Sequence, residues 1–152
     1  MLSMHNIISE QVKDAMRAKD QVRLITLRGV LAAFTNELVA KGKKPQDQLT
    51  EDESLAVVRR LVKQRKDSIE QFEKGGRQDL ADNEKAELVI LEKFLPAAMP
   101  EEEIRKIVKE KMEKLEIKDK SKLGQLIGAI MKETGGLADG STVKKIVEEI
   151  LQ

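Results

Sequence analysis

The chain has 152 residues, a net charge of +1, 40% hydrophobic and 36% charged residues, a balance that predicts one or two small folded domains rather than disorder. The near-neutral net charge gives no overall electrostatic attraction to nucleic acid or membrane. No apolar run approaches the ~18 residues that span a bilayer. The absence of cysteine excludes disulfides, thiolate metal sites and cysteine nucleophiles; with no apolar signal-peptide run at the N-terminus, we expect a cytoplasmic protein.

The first two helices are predicted from their caps and their apolar spacing. Aromatic residues make up only 2% of the chain, and a core of Leu, Ile, Val, Ala and Met favours helix. Ser3 suits the N-cap of a helix that runs to about Lys19, and Asp20 suits the N-cap of a second helix that ends before Gly42. The second helix carries apolar residues at 3-4 spacing: Leu24, Leu27, Leu31, Phe34 and Leu38.

The third and fourth helices form the longest amphipathic stretch. Thr50 and Glu53 predict a capping box at the start of the third helix, and Gly75 or Gly76 suits its end. Its predicted buried stripe has helical spacing: Leu55, Val58, Val62, Ile69 and Phe72. The fourth helix is expected from about residue 78 until proline stops it at position 96.

Two prolines divide the chain. Pro96 and Pro100 prevent helix continuation and predict a stiff hinge. Short loops between the four preceding helices indicate that sequence neighbours pack side by side, and three shorter helices follow. The sequence therefore predicts an all-α fold, with an N-terminal antiparallel helical bundle over residues 1–96 and a small C-terminal three-helix module over residues 97–152.

One C-terminal helix contains an unusual pair of glycines. This helix is predicted over roughly residues 120–133, with Gly124 and Gly128 at i, i+4, where each costs ~1 kcal/mol relative to Ala. Either a neighbouring helix or the backbone of a partner would explain them by close approach. Asp139 or Ser141 is expected to cap the last helix.

Catalytic chemistry has little support in the sequence. His5 is the only histidine, and it lies near a terminus, where chains often fray. A Ser-His-Asp triad or a histidine-based zinc site would depend on this one residue, so neither is indicated. Acidic residues 101–103 are better explained by the positive end of a helix than as an acid–base pair. The glycine-rich residues 135–140 follow no strand, so a phosphate loop is not indicated. We expect no catalytic residue, cofactor or metal.

The third helix carries a basic face instead. Residues 57–77 contain seven Lys/Arg and three Asp/Glu, and three of the cations share one side of the helix: Arg59, Lys63 and Lys66. One interpretation is a solvated face with i, i+4 ion pairs such as Lys63–Asp67 and Lys66–Glu70. The other is a surface that binds RNA phosphates.

A second basic cluster supports the RNA interpretation. Residues 118–145 contain six lysines and three acids. The candidate RNA-binding residues of both clusters are Arg59, Lys63, Arg65, Lys66, Arg77, Lys122, Lys132, Lys144 and Lys145. Because Trp and Tyr are absent and all three Phe fall on predicted core stripes, stacking on bases is not expected. Such a protein would read phosphates and folded shape, as in tRNA.

Several short stretches, in order along most of the chain, carry a family resemblance. They are LRGVLAAFTNE at residues 27–37, KQRKDS at 63–68, GRQDL at 76–80, ELVIL at 87–91 with FLP at 94–96, LGQLIG at 123–128 and ADG at 138–140. With these stretches the chain resembles the GatB/YqeY domain family, specifically its small stand-alone YqeY-like proteins. One departure is Leu137, where the family pattern usually has a basic residue before ADG; it would weaken a phosphate contact at that position.

The resemblance implies a two-part helical fold and kinship with the C-terminal region of GatB. GatB is a subunit of the amidotransferase that amidates glutamate or aspartate on mischarged tRNA, and this region is its tRNA-binding appendage; some glutaminyl-tRNA synthetases carry a related one. The family is often described by a carbon–nitrogen ligase activity with glutamine as amido-N-donor, for which this sequence supplies no catalytic centre. We therefore expect a non-catalytic tRNA-binding module that acts with an amidotransferase or an aminoacyl-tRNA synthetase. The alternatives are a helical protein-interaction adaptor that uses an apolar groove and has no RNA role, and an amidotransferase in its own right.

Overall fold

The computed structural model describes residues 3–135 and 137–151, and these residues form seven α-helices, one 3-10 turn and no strand. The all-α prediction is confirmed. The helices are α1 (Met4–Ala18), α2 (Gln21–Ala40), α3 (Glu51–Lys74), α4 (Gln78–Glu92), α5 (Glu101–Lys114), α6 (Leu123–Glu133) and α7 (Gly140–Ile150). Residue contacts divide the chain into two compact units, Met1–Leu95 and Pro96–Gln152, and the boundary expected from the prolines lies within one residue of this division. In the part of the chain that the structure describes, no helix is long and apolar enough to cross a membrane.

Local capping explains where the first three helices begin. The Ser3 hydroxyl accepts a hydrogen bond from the Asn6 amide at 3.2 Å, and the Asp20 carboxylate accepts one from the Arg23 amide at 3.2 Å. At α3, the Glu53 amide donates to the Thr50 hydroxyl at 3.2 Å and the Thr50 amide donates to the Glu53 carboxylate at 2.9 Å. These bonds satisfy backbone donors that have no partner inside the helix. All three predicted caps are confirmed.

Helices α1 to α4 share one hydrophobic cluster. Its fully buried side chains are Ile8, Leu27, Val30, Phe34, Val57, Val58 and, at 2% exposure, Leu38 and Leu91. The stripe predicted for α2 is confirmed apart from Leu31, which is half-buried. In α3, Val58 and Val62 are buried as predicted, whereas Leu55, Ile69 and Phe72 are only half-buried.

The far end of the α3–α4 hairpin has no buried residue. We call residues 63–80 the hairpin tip; each of them is exposed or half-buried. The reason is length: α3 has 24 residues, about 36 Å, and its second half packs along α4 beyond the shared cluster. The second half of α3 therefore exposes most of its side chains to solvent.

The second unit has its own hydrophobic cluster, formed by α5, α6, α7 and the loops between them. The helix predicted from residue 120 begins as α6 only at Leu123, because residues Lys120–Lys122 form a 3-10 turn that Asp119 caps. Asp139 caps α7 by accepting from the Thr142 amide at 3.0 Å, which confirms the first of the two predicted caps.

The two α6 glycines are exposed and face open space. A Cβ atom added at Gly124 or Gly128 would meet nothing within 4 Å. The first explanation, close approach of a neighbouring helix, is therefore wrong: no such approach is present among the described residues. The other explanation, approach of a partner, is not tested by this observation. The end of α4 also differs slightly from prediction, because the helix ends at Glu92, before the proline at position 96.

Candidate nucleic-acid interface

Three cations line one side of α3 and have no ion-pair partner in the part of the chain that the structure describes. Lys63 and Lys66 are exposed, Arg59 is half-buried, and none of them forms an ion pair within 4 Å in residues 3–135 and 137–151. We call this set the α3 basic face. Its charges are available to an external anion.

The ion pairs predicted along α3 are wrong. Glu70 pairs with Lys74 at 2.8 Å instead of with Lys66, and this hydrogen bond lowers the pKa of Glu70. The reason is orientation, because a carboxylate four residues before a lysine interacts better than the reverse order. Lys66–Glu70 and Lys63–Asp67 both have the reverse order.

Arg65, a predicted RNA-binding residue, connects the two helices of the hairpin. Its guanidinium Nη1 donates to the Glu84 carboxylate at 2.8 Å and also pairs with Glu87. The three side chains are between 19% and 31% exposed, so the pairs are shielded from solvent on most sides. Arg65 therefore holds α3 against α4 and is not available to a phosphate.

Arg77, at the turn of the hairpin, is also paired. Its guanidinium donates from Nε and Nη2 to the two oxygens of Asp79, both at 3.2 Å. These bonds lower the pKa of Asp79. Both residues are exposed, so an RNA phosphate would have to displace the Asp79 carboxylate to reach Arg77.

The acidic partners of Arg65 were missed by the sequence analysis. Glu84 and Glu87 lie at i, i+3 on α4, about as far after the Gly75-Gly76 turn as Arg65 lies before it. Folding the two helices back at that turn brings these positions level. Matching charges across the predicted hairpin, rather than only along one helix, would have found this pair.

The second unit carries four predicted cations that are exposed: Lys122, Lys132, Lys144 and Lys145. Among the described residues none of them has an ion-pair partner within 4 Å. Glu133, the acid next to Lys132 in sequence, pairs with Lys111 at 3.2 Å. Leu137, noted above as a departure from the family resemblance, is 40% exposed, so its apolar side chain lies on the surface.

The aromatic side chains offer no stacking platform on this surface. Phe34 is 1% exposed, which confirms its place in the core. Phe72 and Phe94 are half-buried, so these two are less enclosed than predicted. Phe94 lines a cleft of about 390 Å³ in the first unit, together with Met4, Ile7, Gln11, Arg23, Glu51, Ile90 and Lys93.

The described residues contain no group of three or more His, Asp or Glu placed to hold a metal ion. Fold and surface together define a small all-helical protein in which each unit has exposed cations without an ion-pair partner among the described residues. A family model described as "Yqey-like protein" matches residues 5–151. The chain belongs to the YqeY-like family, as the resemblance implied.

Curated relatives carry the name "Altered inheritance of mitochondria protein 41, mitochondrial". The Kluyveromyces lactis protein is 35% identical over 126 residues, which cover 81% of this chain and 66% of the relative. The Pyrenophora tritici-repentis protein is 32% identical over 95% of this chain and 78% of its own length. The Lachancea thermotolerans protein is 38% identical over 58% of this chain and 46% of its own length. This chain therefore spans about half to four fifths of these relatives.

These names overturn one expectation. All three relatives are named as mitochondrial proteins, so the expectation of a cytoplasmic protein is wrong. The expectation depended on the absence of cysteine and of a long apolar run. Both features are compatible with more than one aqueous compartment, so composition could not decide between them.

Proposed function

We propose that this chain is a non-catalytic tRNA-binding module, related to the tail of the tRNA-dependent amidotransferase and acting with an amidotransferase or an aminoacyl-tRNA synthetase. The observation that carries the proposal is the α3 basic face: Arg59, Lys63 and Lys66 project from one side of a helix with no carboxylate partner in the described residues. Cations left unpaired in this way bind phosphates without first breaking an internal bond.

The surface chemistry favours a folded RNA over a single strand. Sequence-specific recognition of single strands uses aromatic side chains on which bases stack, and Trp and Tyr are absent from this chain. Lysines on a rigid helix contact phosphates at fixed spacing and so recognise the shape of a duplex. The helical arms of tRNA meet this requirement.

The ion pairs reduce the proposed contact set. Arg65 and Arg77 are bound to carboxylates, so seven of the nine predicted residues remain: Arg59, Lys63, Lys66, Lys122, Lys132, Lys144 and Lys145. If each contacts one phosphate, the affinity should fall about 10³–10⁵-fold between 50 and 200 mM salt.

The test is a titration of labelled tRNA with the purified chain at several salt concentrations. Protein concentration is taken from peptide absorbance, because Trp and Tyr are absent. The Lys63→Glu/Lys66→Glu variant should bind more weakly, and its slope of log affinity against log salt should be smaller by about two, one for each lost phosphate contact.

Two further variants complete this test. Lys44→Glu/Lys93→Glu changes the net charge equally at exposed lysines outside the α3 basic face and should retain the slope. Lys63→Arg/Lys66→Arg keeps both charges and should bind as the parent does. Salt-insensitive binding, or equal losses in both reversed pairs, would contradict specific docking on α3.

A second candidate, a protein-interaction adaptor, is favoured by the cleft in the first unit. Its apolar lining includes Met4, Ile7, Ile90 and Phe94, and Ile7 is 38% exposed. An adaptor would show no tRNA binding even at low salt. Its partner binding would survive Lys63→Glu/Lys66→Glu and fail in Ile7→Glu.

An amidotransferase activity of its own is a third reading. It would require the purified chain to release glutamate from glutamine, and we expect none. Detecting that release in the purified chain would replace the non-catalytic proposal by an enzymatic one.

A further inference from the structure

Helix α2 has a second apolar stripe on the side that faces solvent. Residues recur along it at 3-4-3-4-3 spacing, and we call them the α2 outer stripe: Val22, Ile25, Gly29, Ala32, Asn36 and Val39. All six are exposed, and the three large ones retain 47%, 60% and 57% exposure at Val22, Ile25 and Val39. A surface helix normally presents polar residues to solvent. This stripe is instead apolar, as expected of a contact surface whose partner is not bound.

The stripe is symmetric about the middle of its own helix. Helix α2 runs from Gln21 to Ala40, and the stripe positions are placed in pairs at equal distances from its midpoint. A second copy of α2 that runs antiparallel about a two-fold axis at this midpoint meets the first in register. Val22 then faces Val39 of the second copy, and Gly29 faces its Ala32.

The glycine in the middle of the stripe is not required by any close contact within residues 3–135 and 137–151. A Cβ atom at Gly29 would meet nothing within 4 Å, and a glycine in a helix interior costs ~1 kcal/mol relative to alanine. Small residues at the centre of a helix pair allow the two backbones to approach closely. Gly29 and Ala32 provide this at the crossing point.

Charge at the helix ends complements the same arrangement. Asp20 at the N-cap and Lys41 at the C-cap are both exposed. Antiparallel pairing brings Asp20 of one copy next to Lys41 of the other, and it places the positive end of each helix dipole beside the negative end of its neighbour. The Lys41 ammonium also pairs with Glu53 of its own chain at 2.8 Å, so it would be shared between Glu53 and Asp20 of the second copy.

We propose that the α2 outer stripe is a self-association surface on which two copies of this chain pair as antiparallel α2 helices. A helix of 20 residues is about 30 Å long, and one helix pair lies at the low end of stable interface sizes. The dimer is therefore weak and depends on concentration. Ile25 against Asn36 is its one mixed type of pair, which the two-fold axis generates twice, and such a polar position specifies register at a cost in stability.

The first test is sedimentation equilibrium of the full chain without RNA, which separates this proposal from the tRNA proposal. The parent should show a monomer–dimer equilibrium, and Ile25→Glu should weaken it at least tenfold. Val89→Glu is the matched control, because Val89 on α4 is 57% exposed and lies outside the stripe; it should leave the equilibrium unchanged. A parent that stays monomeric at millimolar concentration, or equal effects of the two variants, would overturn the proposal.

A gain of affinity tests the register. Asn36→Leu replaces the mixed pair by an apolar one and should tighten the dimer at least tenfold, with unchanged helix content by circular dichroism. Asn83→Leu, at an exposed asparagine of α4, controls for non-specific hydrophobic association and should leave the dimer affinity unchanged. Tightening by both, or by neither, would count against the paired stripe.

The direction of pairing is measurable because the chain has no cysteine. A spin label on Ala40→Cys is unique and lies at the end of the helix. Antiparallel pairing places the two labelled backbones about 28 Å apart along the helix axis, at 1.5 Å per residue. Parallel pairing would place them side by side, and a short distance would rule out the proposed arrangement.

Discussion

Glu53 shows how one carboxylate connects a loop to a helix. Its oxygens accept from the Thr50 amide at 2.9 Å and bind the ammonium groups of Lys41 at 2.8 Å and Lys43 at 3.5 Å. The hydrogen bond from Lys41, followed by that from the Thr50 amide, lowers the pKa of Glu53 to about 2. The ionised form is therefore bound more favourably in the folded chain than in the unfolded one.

This pKa predicts how stability depends on pH. Because the folded value of about 2 lies below the ordinary value of 4.5, the contribution of Glu53 is present above about pH 4.5 and is lost as the pH falls towards 2. Glu53→Gln should therefore lower the free energy of unfolding at pH 7 and change it little at pH 2. Denaturant titrations at both pH values measure this. Glu51→Gln, exposed in the same helical turn, is the control, and an equal loss at both pH values in Glu53→Gln would refute the linkage.

At the scale of elements, the α3–α4 hairpin separates structural cations from available ones. Arg65 binds Glu84 and Glu87 between the helices, and Lys85 on α4 reaches Glu73 on α3 at 2.6 Å. These pairs tie together a hairpin tip that has no buried residue. Lys63 and Lys66 lie on the same helix but take no part in this, so stability and RNA binding should respond to different substitutions.

Two matched variants test that division. Arg65→Met removes charged hydrogen bonds in a partly shielded site and leaves two carboxylates together, so we expect it to lower the free energy of unfolding by about 1–2 kcal/mol. Lys63→Met should stay within about 0.5 kcal/mol but reduce the salt slope of tRNA binding by about one. Thermal melts and the tRNA titration measure both quantities. A stable Arg65→Met variant with a reduced slope would reverse the two roles.

Local signals in the sequence were sufficient for much of the fold. Ser3, Asp20 and Thr50 each bond a backbone amide three residues away, so their caps depend on neighbours that the sequence shows directly. Arg65 was assigned to RNA because its partners lie on another helix, and the choice of partner requires the register of the hairpin. For Gly124 the sequence left two explanations open, a neighbouring helix or a partner, because composition does not show which side of a helix remains uncovered.

At the scale of the whole molecule, the candidate contacts are distributed over two units with separate hydrophobic clusters. The first unit supplies Arg59, Lys63 and Lys66, and the second supplies four exposed lysines. Net charge is only +1, so the proposed attraction to RNA would have to come from local clusters of cations rather than from the net charge. Two weak contact sets on one chain bind more tightly than either alone, because the second contact becomes intramolecular.

Separating the units should reveal this coupling. Fragments 1–95 and 96–152 each keep a complete hydrophobic cluster, so both should fold, as helical circular dichroism and a cooperative melt would verify. Each should bind tRNA about 10²–10⁴-fold more weakly than the intact chain, with salt slopes that reflect three contacts for the first fragment and four for the second. Mixing the fragments should not restore the affinity, because the covalent link supplies the high local concentration. If fragment 1–95 bound as tightly as the intact chain, the lysines of the second unit would lie outside the interface, and the α3 basic face alone would account for binding.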